Sequence, residues 1–150
     1  MFKYTDNNYM ITKFFIYGFL GLIVEIFFTG IHSFISRDFT LIGHTYIWMI
    51  FIYGSGVFLE RIHDVIREKN IIIRGGIWVV VILSIEFITG ILLQKVIGIC
   101  PWDYTGSSPY AILGVIRLDY IPYWFILGLI FEKIHDFLDV FSFRLKMTPD

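Results

Sequence analysis

Four long apolar runs, separated by short polar breaks, constrain this chain more than any other feature. They cover residues 11–35, 41–66, 71–97 and 119–140. Each is at least as long as the roughly 20 apolar residues that an α-helix needs to cross the hydrocarbon core of a bilayer. The sequence therefore predicts an all-α integral membrane protein, a four-helix bundle in which residues 1–150 form a single transmembrane domain.

The composition excludes a soluble domain of this length. Hydrophobic residues make up 57% of the chain and charged residues 17%, whereas soluble domains carry roughly 25% charged residues. Four spans use about 80 residues, so we expect no nucleotide-binding domain within this sequence. A net charge of −1 lacks the basic surface that nucleic-acid binding requires. The expected surroundings are therefore a lipid bilayer, with no nucleic-acid partner.

Lysine and arginine are distributed unequally between the two ends of the predicted helices. With the N-terminus inside, nine of the twelve lie on the cytoplasmic side, and the exceptions are Arg37, Lys95 and Arg117. Because positive residues are retained in the cytoplasm, we expect a multi-pass protein of the cell membrane with both termini cytoplasmic. The third loop then faces outward, and its apolar part, residues 109–116, is expected to be a re-entrant or interfacial segment.

The second and fourth predicted helices contain related nine-residue strings. Residues 56–64 read Gly-Val-Phe-Leu-Glu-Arg-Ile-His-Asp, and residues 128–136 read Gly-Leu-Ile-Phe-Glu-Lys-Ile-His-Asp. The first and third helices each carry a glutamate, Glu25 or Glu86, that a Thr-Gly pair follows. These patterns predict an internal repeat of two helical hairpins in tandem. The repeat is parallel, because both hairpins start on the same side of the membrane.

Each predicted helix carries one glutamate, and an intramembrane carboxylate usually marks an ion path, a ligand or a partner charge. Two of the four belong to Glu-x-x-His pairs, whose side chains share a helix face. The order Glu, Glu-x-x-His, Glu, Glu-x-x-His matches the ligands of di-iron and di-manganese carboxylate bundles. The candidate ligands of two divalent ions of iron, manganese or zinc are Glu25, Glu60, His63, Glu86, Glu132 and His135. Asp64 and Asp136 are candidates for orienting the histidine rings.

Other interpretations of the same residues stay open. The string from Glu60 to Asp64 also suits a polar helix end at the cytoplasmic interface, with ion pairs to Arg67 or Lys133 and no metal. A proton relay is a further possibility for the buried acids. Small residues beside the acids would allow close helix packing, either within one chain or in a homo-oligomer.

The third loop holds the remaining candidate functional residues. Trp102, Asp103 and Tyr104 are either ligand contacts or a turn that packs its own aromatic rings on the bundle. Arg117 and Asp119 either pair with each other, reach a buried acid, or anchor the loop at the interface.

Strings spread over nearly the whole chain resemble one known family. They are Gly98-Ile99-Cys100-Pro101-Trp102-Asp103-Tyr104, the Tyr53-Gly54 and Glu60 region, Glu86 with Thr89-Gly90, and Ile116-Arg117-Leu118-Asp119. From about Phe14 to Leu138 the chain resembles the CmpB-type ABC-transporter permease family. The resemblance implies a permease subunit that works with a separate ATPase. With only four helices, such a permease would need to oligomerise.

Three functions are compatible with these observations. The first is a transport-related, permease-like membrane subunit with buried carboxylates. The second is a membrane-embedded, carboxylate-bridged dimetal enzyme with a lipid-like or quinone-like substrate, and the third is a non-catalytic membrane scaffold. The sequence identifies no catalytic residue, so it leaves open whether the protein is an enzyme.

Overall fold

The computed structural model describes residues 7–147, with side chains described over residues 9–140. Its long helices are α1 (Asn7–Ile35), α4 (Ile71–Ile97) and α5 (Ile121–Met147), and its short ones are α2 (Met49–Gly54) and α3 (Glu60–Ile66). Two-residue strands β1 (Ala111–Ile112) and β2 (Ile116–Arg117) form the one hairpin in the described part of the chain. The predicted helical class is confirmed.

Two of the helices are long and apolar enough to cross a membrane. They cover Tyr9–Ile35 and Ile71–Ile97, and only 11% of the most apolar stretch of each is buried. A core helix of a soluble protein would instead bury most of its apolar side chains. Large side chains such as Phe27 and Ile72 are exposed along these helices. Both helices therefore present apolar surface to their surroundings, as membrane helices do.

The chain divides into two compact units between Arg61 and Ile62, which we call unit 1 and unit 2. In unit 1, α2 packs along α1, and in unit 2, α5 packs along α4. Each unit thus pairs one long apolar helix with the helical segment that follows it in the sequence. The assignment of all residues to a single transmembrane domain stays a prediction.

The prediction of one continuous helix over residues 41–66 is wrong. Residues 41–46 are not helical, Leu41 has a positive φ of 53°, and α2 begins only at Met49. A tighter 3-10 turn over Ser55–Phe58 then interrupts the helix before α3. The break follows Gly54, a buried glycine on which the Phe14 ring packs. Adjacent glycine and serine residues are a common site of helix kinks, and apolarity alone did not reveal either change.

The other three predicted helices are present, two of them with shifted ends. The structure reproduces the bounds of α4 and the end of α1 at Ile35. Helix α1 begins at Asn7, before the predicted start at residue 11, and α5 covers Ile121–Met147 where residues 119–140 were predicted. Helix ends are the part of an element that apolar patterns define least.

The apolar segment of the third loop folds as the β1–β2 hairpin. Ala111 pairs with Arg117 and Ile112 with Ile116, in antiparallel register. At the turn, Leu113 and Gly114 have positive φ values of 52° and 71°. Next to the turn, the Val115 side chain is 1% exposed and packs where Gly90 of α4 lacks a side chain. Whether the hairpin re-enters a membrane or lies at its interface stays a prediction.

We call the residues between the long helix of each unit and its next α-helix the return segment; it covers residues 36–48 in unit 1 and 98–120 in unit 2. One leucine in each return segment has the same unusual backbone conformation. Leu41 and Leu113 both adopt the left-handed conformation, which is unusual for a leucine. Helix α2 begins eight residues after Leu41, and α5 begins eight residues after Leu113. The same spacing, nineteen residues, separates these leucines from Glu60 and Glu132. These spacings are equal in the two units, and the internal repeat itself stays a prediction.

Close packing of α5 on α4 depends on a glycine, which leads to a first prediction. A Cβ atom at Gly128 would overlap the root of the Trp78 side chain. Overpacking of a tight contact costs about 1–3 kcal/mol. We therefore expect Gly128→Ala to lower the thermal stability of the detergent-purified protein.

The matched control is Gly76→Ala in α4, where an added Cβ meets nothing within 4 Å. Alanine favours a helix over glycine by about 1 kcal/mol, so this variant should be as stable as the natural protein or more stable. Equal losses of stability in the two variants would contradict the packing argument.

Candidate functional site

Glu132 of α5 is the most deeply buried charged residue of unit 2, with 0% of its surface exposed. Arg74 of α4 donates to both of its carboxylate oxygens, with Nε 3.2 Å from Oε1. The indole Nε1 of Trp78 donates to Oε1 at 2.8 Å. Arg74 and Trp78 lie one turn apart on the same face of α4. One cation and one neutral donor thus compensate a carboxylate that water does not reach.

Glu60 of α3 has the same kind of partners in unit 1. Lys13 Nζ lies 2.9 Å from Oε1, and the Tyr17 hydroxyl donates to that oxygen at 2.8 Å. Both partners are buried on α1, where they are again one turn apart. Glu60 in unit 1 and Glu132 in unit 2 therefore each contact a cation and an aromatic donor from the long helix of their own unit.

Sequence reasoning missed these cations and predicted Arg67 or Lys133 as partners instead. In the structure, Arg67 contacts Asp136 at 3.2 Å and Asp64 at 3.4 Å on a half-exposed surface. A repeated spacing in the sequence singles out the actual cations. Lys13 precedes Glu25 by twelve residues, and Arg74 precedes Glu86 by the same number. Each cation is followed four residues later by the aromatic donor to the same glutamate, Tyr17 in unit 1 and Trp78 in unit 2.

The histidines of the predicted metal set lie together with Glu132 in unit 2. His63 is 2% exposed, its Nδ1 lies 3.5 Å from Glu132 Oε1, and its ring centroid lies 5.3 Å from that of His135. Its Nε2 lies 3.1 Å from Asp136 Oδ1. Asp136 therefore contacts the ring of His63 and not that of its neighbour His135, and its role in orienting a metal ligand stays a prediction. Asp64, the other predicted orienting residue, contacts Arg67.

The two mid-helix glutamates contact tyrosines instead of cations. Tyr53 donates to Glu25 Oε2 at 2.8 Å, and Tyr104 donates to Glu86 Oε1 at 2.9 Å. Tyr104 was among the predicted functional residues, whereas Tyr53 was named only in the strings that carry the family resemblance. Both contacts join a hydroxyl to the long helix of the same unit, from α2 in the case of Tyr53 and from the loop after α4 in the case of Tyr104.

Neither unit brings all of its predicted metal ligands to one place. Glu86 lies twelve residues along α4 from Arg74, the partner of Glu132, a distance of about 18 Å along the axis at 1.5 Å per residue. In unit 1 the same spacing separates Glu25 from Lys13, the partner of Glu60. The structure thus assembles His63, Glu132 and His135 but not the mid-helix acids, and a metal role for the six residues stays a prediction.

Trp102, Asp103 and Tyr104 make contacts that stabilise the loop between α4 and β1 in unit 2. The Trp102 indole is buried and donates to the Val115 carbonyl oxygen at 3.1 Å. Asp103 accepts from the Thr105 hydroxyl at 2.6 Å, and this hydrogen bond lowers the pKa of the Asp103 carboxyl. Together with the bond from Tyr104 to Glu86, these contacts hold the loop against α4.

Arg117 and Asp119 pair with each other at the end of the hairpin. Arg117 Nη2 lies 2.6 Å from Asp119 Oδ2, and Nε lies 3.2 Å from Oδ1. This two-point contact lowers the pKa of the Asp119 carboxyl and raises the pKa of the Arg117 guanidinium. The guanidinium also lies over the Tyr120 ring, 4.2 Å from its centroid. Of the alternatives left open by the sequence, the structure shows mutual pairing.

The chain is similar to one known protein family over most of its length. The family described as "Putative ABC-transporter type IV" matches residues 12–147, which include most of both units. This chain belongs to that family. The match confirms the resemblance to the CmpB-type family that the motifs indicated, and no solved structure matches the chain. The family description associates the chain with ABC transporters.

The buried ion pair of unit 2 leads to a second prediction. Arg74→Met would leave the Glu132 carboxylate buried without its cation, a change that costs about 3–5 kcal/mol. We expect a large loss of thermal stability in detergent. The double variant Arg74→Met/Glu132→Gln should recover most of it, because the neutral amide still accepts from Trp78.

Arg67→Met provides the control, since Arg67 and its partners Asp64 and Asp136 are substantially exposed. Exposed ion pairs contribute about 0–1 kcal/mol, so this variant should lose little stability. Comparable losses for Arg67→Met and Arg74→Met would show that burial of the pair does not matter.

Proposed function

We propose that this protein is a multi-pass membrane subunit of an ABC-type transporter whose ATPase is a separate chain. The observation that carries the proposal is the family membership over residues 12–147, in a chain whose two long apolar helices bury little of their surface. This combination supports a permease role, because the family description associates the chain with ABC transporters, in which transport across the membrane is coupled to ATP hydrolysis.

The contacts of the buried charges support a membrane location. A lysine or arginine inside a span is costly unless it pairs within the protein or reaches the interface. Lys13 and Arg74 lie near the N-terminal ends of α1 and α4, and each contacts a glutamate of its own unit. Both long helices can therefore enter a bilayer with their charges compensated.

We further propose four crossings with both termini in the cytoplasm. Residues 49–66 contain α2, the 3-10 turn and α3, and at 1.5 Å per residue they reach about 27 Å. This length is close to the roughly 30 Å of the hydrocarbon core, so the broken segment is able to serve as the second crossing. The β1–β2 hairpin then lies outside, where Leu113, 70% exposed at its tip, would enter the membrane interface.

A transport path would need more helices than one such chain supplies. Apolar side chains stay exposed along α1 and α4, and helix faces of this kind pack either on lipid or on another copy. We therefore include a homo-oligomer in the proposal, with its polar path formed between copies.

The third prediction tests the ATPase partner. An affinity-tagged chain, purified in mild detergent from its own host, should bring down a stoichiometric ATPase, with ATP hydrolysis as the readout. In the proposed orientation the turn between α3 and α4 is cytoplasmic and exposes Lys69. Lys69→Glu should reduce ATPase recovery several-fold, because charged groups at the rim of an interface affect association.

Arg37→Glu is the matched control, since Arg37 is equally exposed but lies in the outer loop of unit 1 in this orientation. It should leave ATPase recovery unchanged. Absence of any co-purifying ATPase would contradict the transporter role, whereas equal losses in both variants would contradict the proposed orientation.

The dimetal enzyme is a second candidate because of one specific observation. His63 Nδ1 is buried, makes no hydrogen bond in the described part of the chain, and lies beside Glu132 and the ring of His135. Imidazole nitrogen and carboxylate oxygen suit iron, manganese and zinc. Arg74 and Trp78 nevertheless already donate to Glu132, so we rank this candidate below the transporter subunit.

The fourth prediction therefore concerns metal content. Protein purified without chelator should contain less than one equivalent of iron, manganese or zinc per chain by mass spectrometry. About two equivalents, lost in Glu86→Ala but retained in the loop variant Glu68→Ala, would instead support the dimetal enzyme with its lipid-like or quinone-like substrate. If the protein contains no metal and no ATPase co-purifies with it, the non-catalytic membrane scaffold is the function that remains.

A further inference from the structure

The return segment of unit 1 runs beside the middle of α1. A Cβ atom added at Gly43 would overlap the Ile26 carbonyl oxygen, and one added at Gly18 would crowd the Ile50 carbonyl oxygen. The chain between Gly43 and Ile50 therefore follows the central part of this 29-residue helix. Because α2 begins only near the end of that stretch, most of the backbone beside the middle of α1 is not helical.

The backbone amides of this stretch lack hydrogen-bond acceptors. Of the seven amides of residues 42–48, only that of His44 donates a hydrogen bond in the described part of the chain, and its acceptor is the Thr29 hydroxyl at 2.9 Å. None of the seven residues is buried. The other six N–H groups therefore lie unpaired in a segment that is open to its surroundings.

The return segment of unit 2 pairs its backbone within itself. The amides of Tyr104, Ala111, Val115 and Leu118 each donate to a carbonyl oxygen of the same segment. The antiparallel pairing of β1 with β2 closes the hairpin. The lack of acceptors is thus specific to unit 1 and is not shared by both return segments.

A bilayer offers few partners to unpaired amides. Lipid tails carry no acceptor, and irregular backbone that faces lipid does not occur within the hydrocarbon core. A helix of a second copy does not supply acceptors either, because its carbonyl oxygens are already bonded along the helix. Water supplies acceptors along the whole segment, and irregular backbone is tolerated at membrane depth where it lines a water-filled cavity.

A polar face of α1 follows the same course as the return segment. Ser33, Thr29 and Glu25 succeed one another at intervals of four residues, which places them on one face of the helix. The Ser33 hydroxyl donates to a carbonyl oxygen of the return segment, Thr29 contacts His44, and Glu25 accepts from Tyr53. Polar groups therefore continue from the outer end of α1 to its middle.

We propose that residues 42–48 form one wall of a water-filled path that opens to the outer side of the membrane and reaches its middle beside Glu25. The inference rests on the proposed function, in particular on its membrane location and orientation, and it assigns to unit 1 the polar path that a transporter subunit needs. Neighbouring copies complete the other walls. Such a path suits small hydrated solutes, because the donors and acceptors that line a pore replace part of the hydration shell.

The fifth prediction uses the single natural cysteine, Cys100. In a Cys100→Ser background, His44→Cys and Ile47→Cys place thiols on the segment. Sealed right-side-out vesicles that contain the full chain are treated with a membrane-impermeant methanethiosulfonate, and labelling is followed by mass spectrometry. Both thiols should react about tenfold faster than lipid-facing thiols, or faster still, because the reactive thiolate is disfavoured in apolar surroundings.

Phe27→Cys and Ile23→Cys are the matched controls. Both residues are exposed, by 68% and 51%, and both belong to the central part of α1. Each is two residues from Glu25, so its side chain points to nearly the opposite side of the helix. Their thiols should react slowly, because they face lipid or a neighbouring copy at the same depth.

Hydrogen exchange of the natural chain in lipid nanodiscs tests the same path without any substitution. The unpaired amides of residues 42–48 should exchange rapidly, since neither a hydrogen bond nor lipid shields them from water. The hydrogen-bonded amides of Ala111, Val115 and Leu118 in unit 2 are the internal reference and should exchange far more slowly.

Slow labelling at all four positions would overturn the path and leave the transporter role intact. Exchange of residues 42–48 as slow as that of the unit 2 amides would do the same. Fast labelling at all four positions would overturn the membrane location together with the path, because Phe27 and Ile23 would then lie in water. The failure of the path is therefore distinguishable from the failure of the proposed function.

Discussion

The compensation of buried carboxylates is the constraint on which the arrangement of each unit depends. Glu132 is completely buried. Removing one partner of a buried ion pair lowers the free energy of unfolding by much more than the intact pair contributes to it. The contacts of Glu132 with Arg74 and Trp78 fix which face of α4 meets α5. Gly128 then allows the Trp78 side chain to lie directly against α5. Helix packing and charge compensation therefore specify the same register.

The two units solve the same problem with different return segments. In unit 2 the segment is a hairpin closed by Val115 and by the Arg117–Asp119 pair, and α5 continues without a break. In unit 1 the segment has no regular structure over residues 41–46, and the following helix is interrupted after Gly54.

The candidate site was partly predictable from residue spacing. The Glu-x-x-His pairs predicted that each glutamate shares a helix face with its histidine, and the structure places His63, His135 and Glu132 together in unit 2. Their role as metal ligands stays a prediction. The partners of the glutamates were not predictable in the same way, because a contact between Arg74 and Glu132 joins residues far apart in the sequence. Residue spacing shows which side chains share a face of one helix, but it does not show which face of a second helix packs against them.

Apolar length and the order of polar breaks determined the helical class and the bounds of α4. Family membership was also readable from motifs, since these are local strings. Tertiary structure alone decided that residues 41–46 are not helical, because a short apolar run by itself does not distinguish a helix from other backbone conformations. It also decided which charges pair: Lys13 with Glu60 and Arg74 with Glu132. Such pairs form only when packing brings distant helix faces into contact and excludes water from both charges.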